Sequence, residues 1–150
     1  MTGERTERET LNILIETCHD GERGFRYAAN HLSDPDVKAL FLEVSAQRAQ
    51  FGEALLRHAQ RLGGATERSG SVSAALHRGW MTLKDAVQHD EAVIIREAER
   101  GERATLAAYE DALGGMLPPA SRETIETQCA AVRHTYGHID KFLKRQPPAE

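Results

Sequence analysis

The sequence predicts an all-α protein, a bundle of four long helices with one long connection in the middle. Hydrophobic residues make up 40% of the 150 residues and aromatic residues only 5%, so the core must consist mainly of Leu, Ala, Ile and Val, which favours helices. Apolar residues recur at alternating steps of four and three along four segments, as on the buried face of a helix. A chain of this length is expected to form a single domain over residues 1–150.

The first half of the chain predicts a helical hairpin. A first helix is expected over about 6–32, and Asp34 followed by Pro35 is a typical start for a second helix over about 35–62. Gly63-Gly64 is the expected end of that helix. The predicted inward stripe of the first helix is Leu11, Ile15, Cys18, Glu22, Phe25, Ala29 and Leu32. That of the second is Leu40, Val44, Gln47, Phe51, Leu55, His58 and Leu62.

The second half predicts a crossover and another hairpin. Residues 65–89 connect the hairpins and contain a short helical stretch over about 72–87. A third helix is expected over 90–113 and a fourth over 119–145, separated by Gly114-Gly115 and Pro118-Pro119. Two hairpins joined by one long crossover have the topology of ferritin-like bundles.

The two halves also share short sequence patterns. Gly21-Glu22-Arg23 in the first helix recurs as Gly101-Glu102-Arg103 in the third, and Val44-x-x-Gln47 in the second matches Ile125-x-x-Gln128 in the fourth. This similarity suggests a duplicated hairpin.

The repeated positions include candidate metal ligands. In ferritin-like di-metal bundles two helices each supply one Glu and the other two each supply Glu-x-x-His. Here Glu22 and Glu102 fall on inward stripes, but Gln47 and Gln128 stand where the partner carboxylates would be. These four residues could hold at most one weakly bound iron, manganese or zinc ion. The favoured interpretation is a buried polar network in which the Gln amides or Arg48 donate to each Glu.

Histidines give weaker indications. Glu16-Thr-Cys-His19 is a literal Glu-x-x-His, but both side chains are predicted to point away from the core stripe. His134 and His138, four residues apart, could bind a metal at the surface, yet exposed histidines are the favoured interpretation. His58 falls on the apolar face, where a core role is the more common one.

Charge and composition exclude several classes of partner. The formal net charge is −4 and the sequence pI is near 6.0, which argue against binding nucleic acid or an anionic membrane. The polar start MTGERTERET does not resemble a signal peptide, and no apolar run is long enough for a membrane span. We expect a cytoplasmic protein with two buried free thiols, Cys18 and Cys129.

Several stretches resemble a family of uncharacterised bacterial four-helix-bundle proteins of the ferritin-like superfamily. They are LNILIETCHDGERGFRYAA, DVKALFLEVSAQRAQF, LHRGWMTLK, REAERGERATLAAYEDAL and the helix around Gln128, and LHRGWM and ERGE are the most specific parts. The resemblance implies the bundle fold and a bacterial cytosolic setting, and it brings no established activity.

No catalytic set is recognisable in the sequence, and the enzymatic status stays open with a leaning towards none. We expect a non-enzymatic structural, stress-related or interaction protein that forms a homo-oligomer, for which Leu14 and Tyr27 are candidate contact residues. The alternative is a metal-binding or redox protein with a degenerate ferritin-type site. A third hypothesis is a small-ligand carrier with a cavity lined by Cys18, Phe25, Phe51 and Tyr109.

Overall fold

Four long helices make up the described part of the protein. The structure is a computed structural model that describes residues 5–63, 86 and 90–145. The helices are α1 (Glu7–Ala29), α2 (Pro35–Arg61), α3 (Glu91–Leu113) and α4 (Pro119–Arg145), and the described ranges contain no strand. The predicted all-α four-helix bundle is confirmed. The helix predicted over 72–87 lies outside the described residues except for Ala86, which is helical and buried.

The helix starts follow from local side-chain chemistry. Thr6 accepts a hydrogen bond from the Glu9 amide at 3.1 Å, and the Glu9 carboxylate accepts one from the Thr6 amide at 3.1 Å. This reciprocal pair satisfies two amides at the start of α1. Asp34 caps α2 by accepting from the amides of Asp36 and Val37, and Asp90 caps α3 by accepting from the amide of Val93.

The first helix ends at Ala29 and not at Leu32, which the apolar stripe had predicted. The amides of His31 and Leu32 bond to carbonyls three residues back, which tightens the chain into a turn. Leu32 is nevertheless buried. Its apolar side chain follows the buried stripe of α1 in the sequence, which is why the helix was predicted to be three residues longer than it is.

The packing gives the directions of the helices. α1 packs against α2 and α3, and α4 packs against α3 and α2, so the four helices surround a common core. The C-terminal half of α1 shares an apolar cluster with the N-terminal half of α3, so these helices are antiparallel. Because α1 and α2 form an antiparallel hairpin, α2 and α3 run in the same direction.

Two apolar clusters fill the core. The Phe25 cluster comprises Phe25, Ala28, Ala29, Leu32, Val37, Phe41, Val44, Ile94, Ile95, Ala98, Ile139 and Phe142. The Leu11 cluster comprises Leu11, Leu14, Ile15, Cys18, Leu55, Ala59, Tyr109, Ala112, Ile125, Cys129 and Val132. None of the described helices is long and apolar enough to span a membrane.

The inward face of α2 differs from the predicted stripe by about one residue. Gln47, Phe51 and His58 are only half-buried, and Leu62 is exposed. The buried face instead runs through Val37, Phe41, Val44, Ser45, Arg48, Gly52, Leu55 and Ala59. Gly52 faces α1, since a Cβ built there would lie 3.5 Å from the Cβ of Cys18, which is an ordinary van der Waals contact. The prediction was wrong because Arg48 and Gly52, at the centre of the buried face, are not the large apolar residues by which such a face is recognised in a sequence.

Candidate functional site

A buried ion pair joins α2 to α3 in the middle of the bundle. Arg48 donates from both terminal nitrogens to the two carboxylate oxygens of Glu102, at 2.6 and 2.5 Å. Both side chains are 0% exposed. The guanidinium also lies over the ring of Phe25, 5.7 Å from its centroid, a cation–π contact. Glu102 therefore has its charge balanced by a planar cation that matches its two oxygens.

The other predicted ligands lie around this pair but do not converge on it. Glu22 is 23% exposed and pairs with Arg26 at 3.0 Å along the same helix. Gln47 is half-buried, and its side-chain oxygen accepts a long bond of 3.4 Å from Arg48 Nε. Only Glu102 and Gln128 of the four are buried.

Gln128 belongs to a neutral chain of hydrogen bonds in the Leu11 cluster. Its Oε1 accepts from the Tyr109 hydroxyl at 2.6 Å, and its Nε2 donates to the Phe51 carbonyl at 3.2 Å. The Tyr109 hydrogen is thereby used, so the Cys18 thiol 3.2 Å away is the donor to the tyrosine oxygen. Every polar group in this chain has a partner.

These buried groups stay protonated at neutral pH. Desolvation raises the pKa of Cys18 to about 11. Desolvation likewise raises the pKa of Tyr109 well above its ordinary value, and the neighbouring thiol adds to the effect. A buried neutral thiol is a poor nucleophile, so the chain from Cys18 to Gln128 is suited to packing and not to covalent chemistry.

Arg48 is the residue whose role sequence reasoning underestimated. It was predicted as one of several possible donors to the buried carboxylates, and in the structure it is the central partner of Glu102. The sequence did contain a signal for the burial of Arg48. Val44 and Leu55 were both predicted to face the core, and a helix face that contains these two residues also contains Arg48. The predicted donors to Glu102 were a Gln amide or Arg48, and the structure selects Arg48.

The donor set does not fit a di-metal carboxylate centre. A hard cation needs free carboxylate oxygens, and both oxygens of Glu102 are held by Arg48. Within residues 5–63 and 90–145 no group of three or more His, Cys, Asp and Glu side chains could hold a metal ion. Metal binding by Glu22, Glu102, Gln47 and Gln128 stays a prediction.

The remaining candidates are dispersed. Glu16, which was predicted to point away from the core stripe, is buried, and neither of its carboxylate oxygens has a hydrogen-bond partner within the described ranges. His19 is exposed. The rings of His134 and His138 lie 6.2 Å apart on α4. Both cysteines are free and buried, as predicted.

The fold is that of a ferritin-like protein. A crystal structure from Thermotoga maritima, described as that of a proposed ferritin-like diiron-carboxylate protein, matches with a TM-score of 0.68. The match covers 97% of this chain and 99% of that chain at 17% sequence identity, so it shows a shared fold. Comparison with curated proteins gives no match.

The family follows from the sequence match. The model of the family described as "Domain of unknown function (DUF2383)" matches residues 6–115, which is more than half of the chain. The chain belongs to this family, as the sequence resemblance implied.

Proposed function

We propose that this protein is a non-enzymatic, cytoplasmic structural or interaction protein with a stress-related role, built on a ferritin-like bundle whose central carboxylate is neutralised by an arginine. The observation that carries the proposal is the bidentate Arg48–Glu102 pair, with both side chains fully buried. A guanidinium with this geometry supplies the positive charge that a metal supplies in related bundles.

The ion pair also opposes metal loading. A cation that took the oxygens of Glu102 would leave the guanidinium of Arg48 buried without its partner. Breaking a buried pair in this way costs about 3–5 kcal/mol. The two half-buried neighbours, Glu22 and Gln47, provide one carboxylate and one amide oxygen to offset that cost, which is a weak set for a divalent ion.

The second candidate function is metal binding or redox chemistry in the bundle core. It is favoured by the similarity to the structure described as a proposed diiron-carboxylate protein. In this alternative Arg48 would have to release Glu102, and Glu22 and Glu102 would hold iron, manganese or zinc with Gln47 and Gln128 as neutral ligands.

Metal analysis of the purified, untagged chain separates the two candidates. We expect iron, manganese and zinc well below one ion per chain in the wild type, with no change in Glu22→Ala, Glu102→Gln or the exposed control Glu126→Ala. Near-stoichiometric metal that is lost in Glu22→Ala and Glu102→Gln, but kept in Glu126→Ala, would overturn the non-metal proposal. Glu102→Gln is chosen because the amide keeps an acceptor for Arg48.

Self-association is the second part of the proposal. Leu14, expected at an oligomer contact, is fully buried, and Tyr27 is half-buried. The described chain instead exposes Leu42, Leu62 and Met116, of which Leu42 lies on the outer side of α2. We expect light scattering to give a multiple of 16.6 kDa and Leu42→Glu to reduce it, with His19→Glu as the control. A wild-type mass of one chain at all concentrations would contradict this part.

A further inference from the structure

A cationic cleft lies between the C-terminal part of α2 and the start of α4. Its volume is about 580 Å³, and it is lined by Ala54, Arg57, His58, Gln60, Arg61 and Thr124. It shares no residue with the Arg48–Glu102 pair. Its size suits a small metabolite.

The hydrogen bonds fix the protonation of His58. The Arg61 guanidinium contacts His58 Nδ1, and because a guanidinium can only donate, Nδ1 is the acceptor. The hydrogen of the neutral ring is then on Nε2, which donates to the Thr124 hydroxyl at 2.8 Å. That hydroxyl donates to the Ala120 carbonyl at 3.4 Å. His58 is thus a neutral side chain held between α2 and α4.

The two arginines of the cleft carry uncompensated charge. Within the described ranges neither Arg57 nor Arg61 forms an ion pair, unlike Arg26, Arg100 and Arg133, each of which contacts a carboxylate. The nearby acid is Glu7, whose carboxylate already accepts a bond from the Ser121 hydroxyl at 2.5 Å.

The end of α2 does not explain these charges. Basic side chains in a last helical turn commonly bond to the free carbonyl groups there. In this protein Arg8 from α1 donates to the Leu62 carbonyl at 3.1 Å. The guanidinium of Arg61 instead lies against the His58 ring. The cleft is therefore lined by two guanidinium groups, of Arg57 and Arg61, and by the titratable ring of His58.

We propose that this cleft binds a small dianion, either a phosphate or sulfate group or a dicarboxylate, through Arg57, Arg61 and a protonated His58. Guanidinium groups bind such oxyanions with two parallel hydrogen bonds. An anion beside His58 favours the imidazolium. Once Nδ1 carries a proton it no longer accepts from Arg61, so the guanidinium turns from the ring to the ligand. Binding at a pH above the pKa of free His58 is therefore coupled to the uptake of up to one proton.

The charges around His58 agree with this coupling. Desolvation lowers the pKa of His58. The positive charges of Arg61 and Arg57 lower this pKa further, and the negative charge of Glu7 raises it. From α4 the ring is met by the uncharged Thr124. A dianion would offset both arginines and so raise the pKa of His58 again.

The test is a calorimetric titration with sodium sulfate in a chloride background, because the charge of sulfate is constant across the range in which histidine titrates. We expect wild-type affinity to increase as the pH falls through 6.5, the ordinary pKa of histidine, by about tenfold for each unit by which sulfate raises that pKa. Nuclear magnetic resonance of the His58 ring protons should follow the same titration. Inorganic phosphate and succinate, titrated separately, distinguish an oxyanion from a dicarboxylate ligand.

Variants with matched charge make the test decisive. Arg57→Gln/Arg61→Gln should weaken sulfate binding by about tenfold or more, and His58→Gln should remove its pH dependence. The control Arg96→Gln/Arg100→Gln removes two exposed arginines with the same spacing on α3 and should leave binding unchanged. Equal weakening by both pairs, no binding by the wild type, or a pH dependence that persists in His58→Gln would overturn the proposal.

Discussion

Among the residues that the structure describes, Arg48 is the largest fully buried side chain, and Glu102 balances its charge inside the core. A buried pair of this kind contributes little compared with apolar residues of the same volume, because taking two charges out of water offsets most of their attraction. Loss of one partner is different, because the other charge is then buried alone. The pair therefore makes the core sensitive to single substitutions at either position.

Arg48→Met should lower the free energy of unfolding by about 3–5 kcal/mol, since Glu102 loses both of its donors. Urea unfolding followed by circular dichroism measures this change. Arg26→Met is the control, because Arg26 belongs to the exposed pair with Glu22 and such pairs contribute up to about 1 kcal/mol. Equal losses in the two variants would show that the buried carboxylate does not depend on Arg48.

Tyr109→Phe should lower the free energy of unfolding by about 1–3 kcal/mol, because Gln128 Oε1 and the Cys18 thiol both lose their partner in a dry environment. The matched control is Tyr27→Phe, whose ring is half-buried; a change within about 0.5 kcal/mol is expected there. The same urea assay applies. A Tyr109→Phe variant as stable as Tyr27→Phe would mean that water reaches Gln128.

His58 gives the fold a defined pH dependence. Because desolvation and Arg61 lower its pKa in the folded state, the unfolded chain binds more protons just below the ordinary value of 6.5. Stability attributable to His58 is therefore present at higher pH and is lost as the pH falls through 6.5 towards the lowered folded-state pKa. Thermal unfolding from mildly alkaline to mildly acidic pH should show a smaller loss in His58→Gln than in the wild type. Parallel profiles for the two proteins would contradict the assigned cause.

At the scale of the helices, local chemistry predicted more than periodicity did. The start of α2 was predicted from Asp34 and Pro35, a short-range signal visible in the sequence, and the structure shows that Thr6 and Asp90 begin α1 and α3 by the same kind of contact with nearby amides. The rotation of α2 was wrong by about one residue, or about 100°, because a long polar side chain is normally exposed. Only the position of Glu102 on another helix makes the burial of Arg48 favourable.

The burial of the candidate site residues was predicted correctly on α3 and α4 and less well on α1 and α2. Glu102 and Gln128 were expected to point into the bundle from α3 and α4, and both are buried. Gln47 was assigned from the shifted stripe of α2 and is half-buried. Glu22 forms an ion pair with Arg26, four residues later in α1. Pairs of opposite charge at this spacing commonly form on a helix surface, so this contact could have been predicted from the sequence.

Replacing two glycines by alanine should change the stability in opposite directions. Gly137 lies within α4, and Gly63 follows α2 with a φ of 77°; a Cβ built at either position meets no atom within 4 Å. Gly137→Ala should raise the free energy of unfolding by up to about 1 kcal/mol, because alanine loses less backbone entropy in a helix. Gly63→Ala should lower it by about 1 kcal/mol, because the left-handed backbone is unfavourable for alanine. Thermal unfolding measures both, and changes of the same sign would contradict the reasoning.

For the molecule as a whole, the ion pair lies between the two apolar clusters. Arg48 contacts Phe25 of the Phe25 cluster, and Gln128 and Tyr109 form the polar part of the Leu11 cluster one to two turns away. Apolar side chains of similar size tolerate several alignments of one hairpin against the other. A slide of one helical turn, about 5.4 Å, would instead separate Arg48 from Glu102 and bury both charges alone. We infer that the pair fixes the register of the two hairpins.

This role is separable from stability by replacing both partners together. Arg48→Met/Glu102→Leu should be at least as stable as the wild type, or more stable by about 1–4 kcal/mol, because no charge remains to be desolvated. If the pair fixes the register, this variant should show additional amide resonances and faster hydrogen exchange in the core despite its stability, because alignments that the charges excluded become accessible. A single set of sharp resonances with wild-type exchange rates would show that shape complementarity of the two clusters is sufficient to align the hairpins.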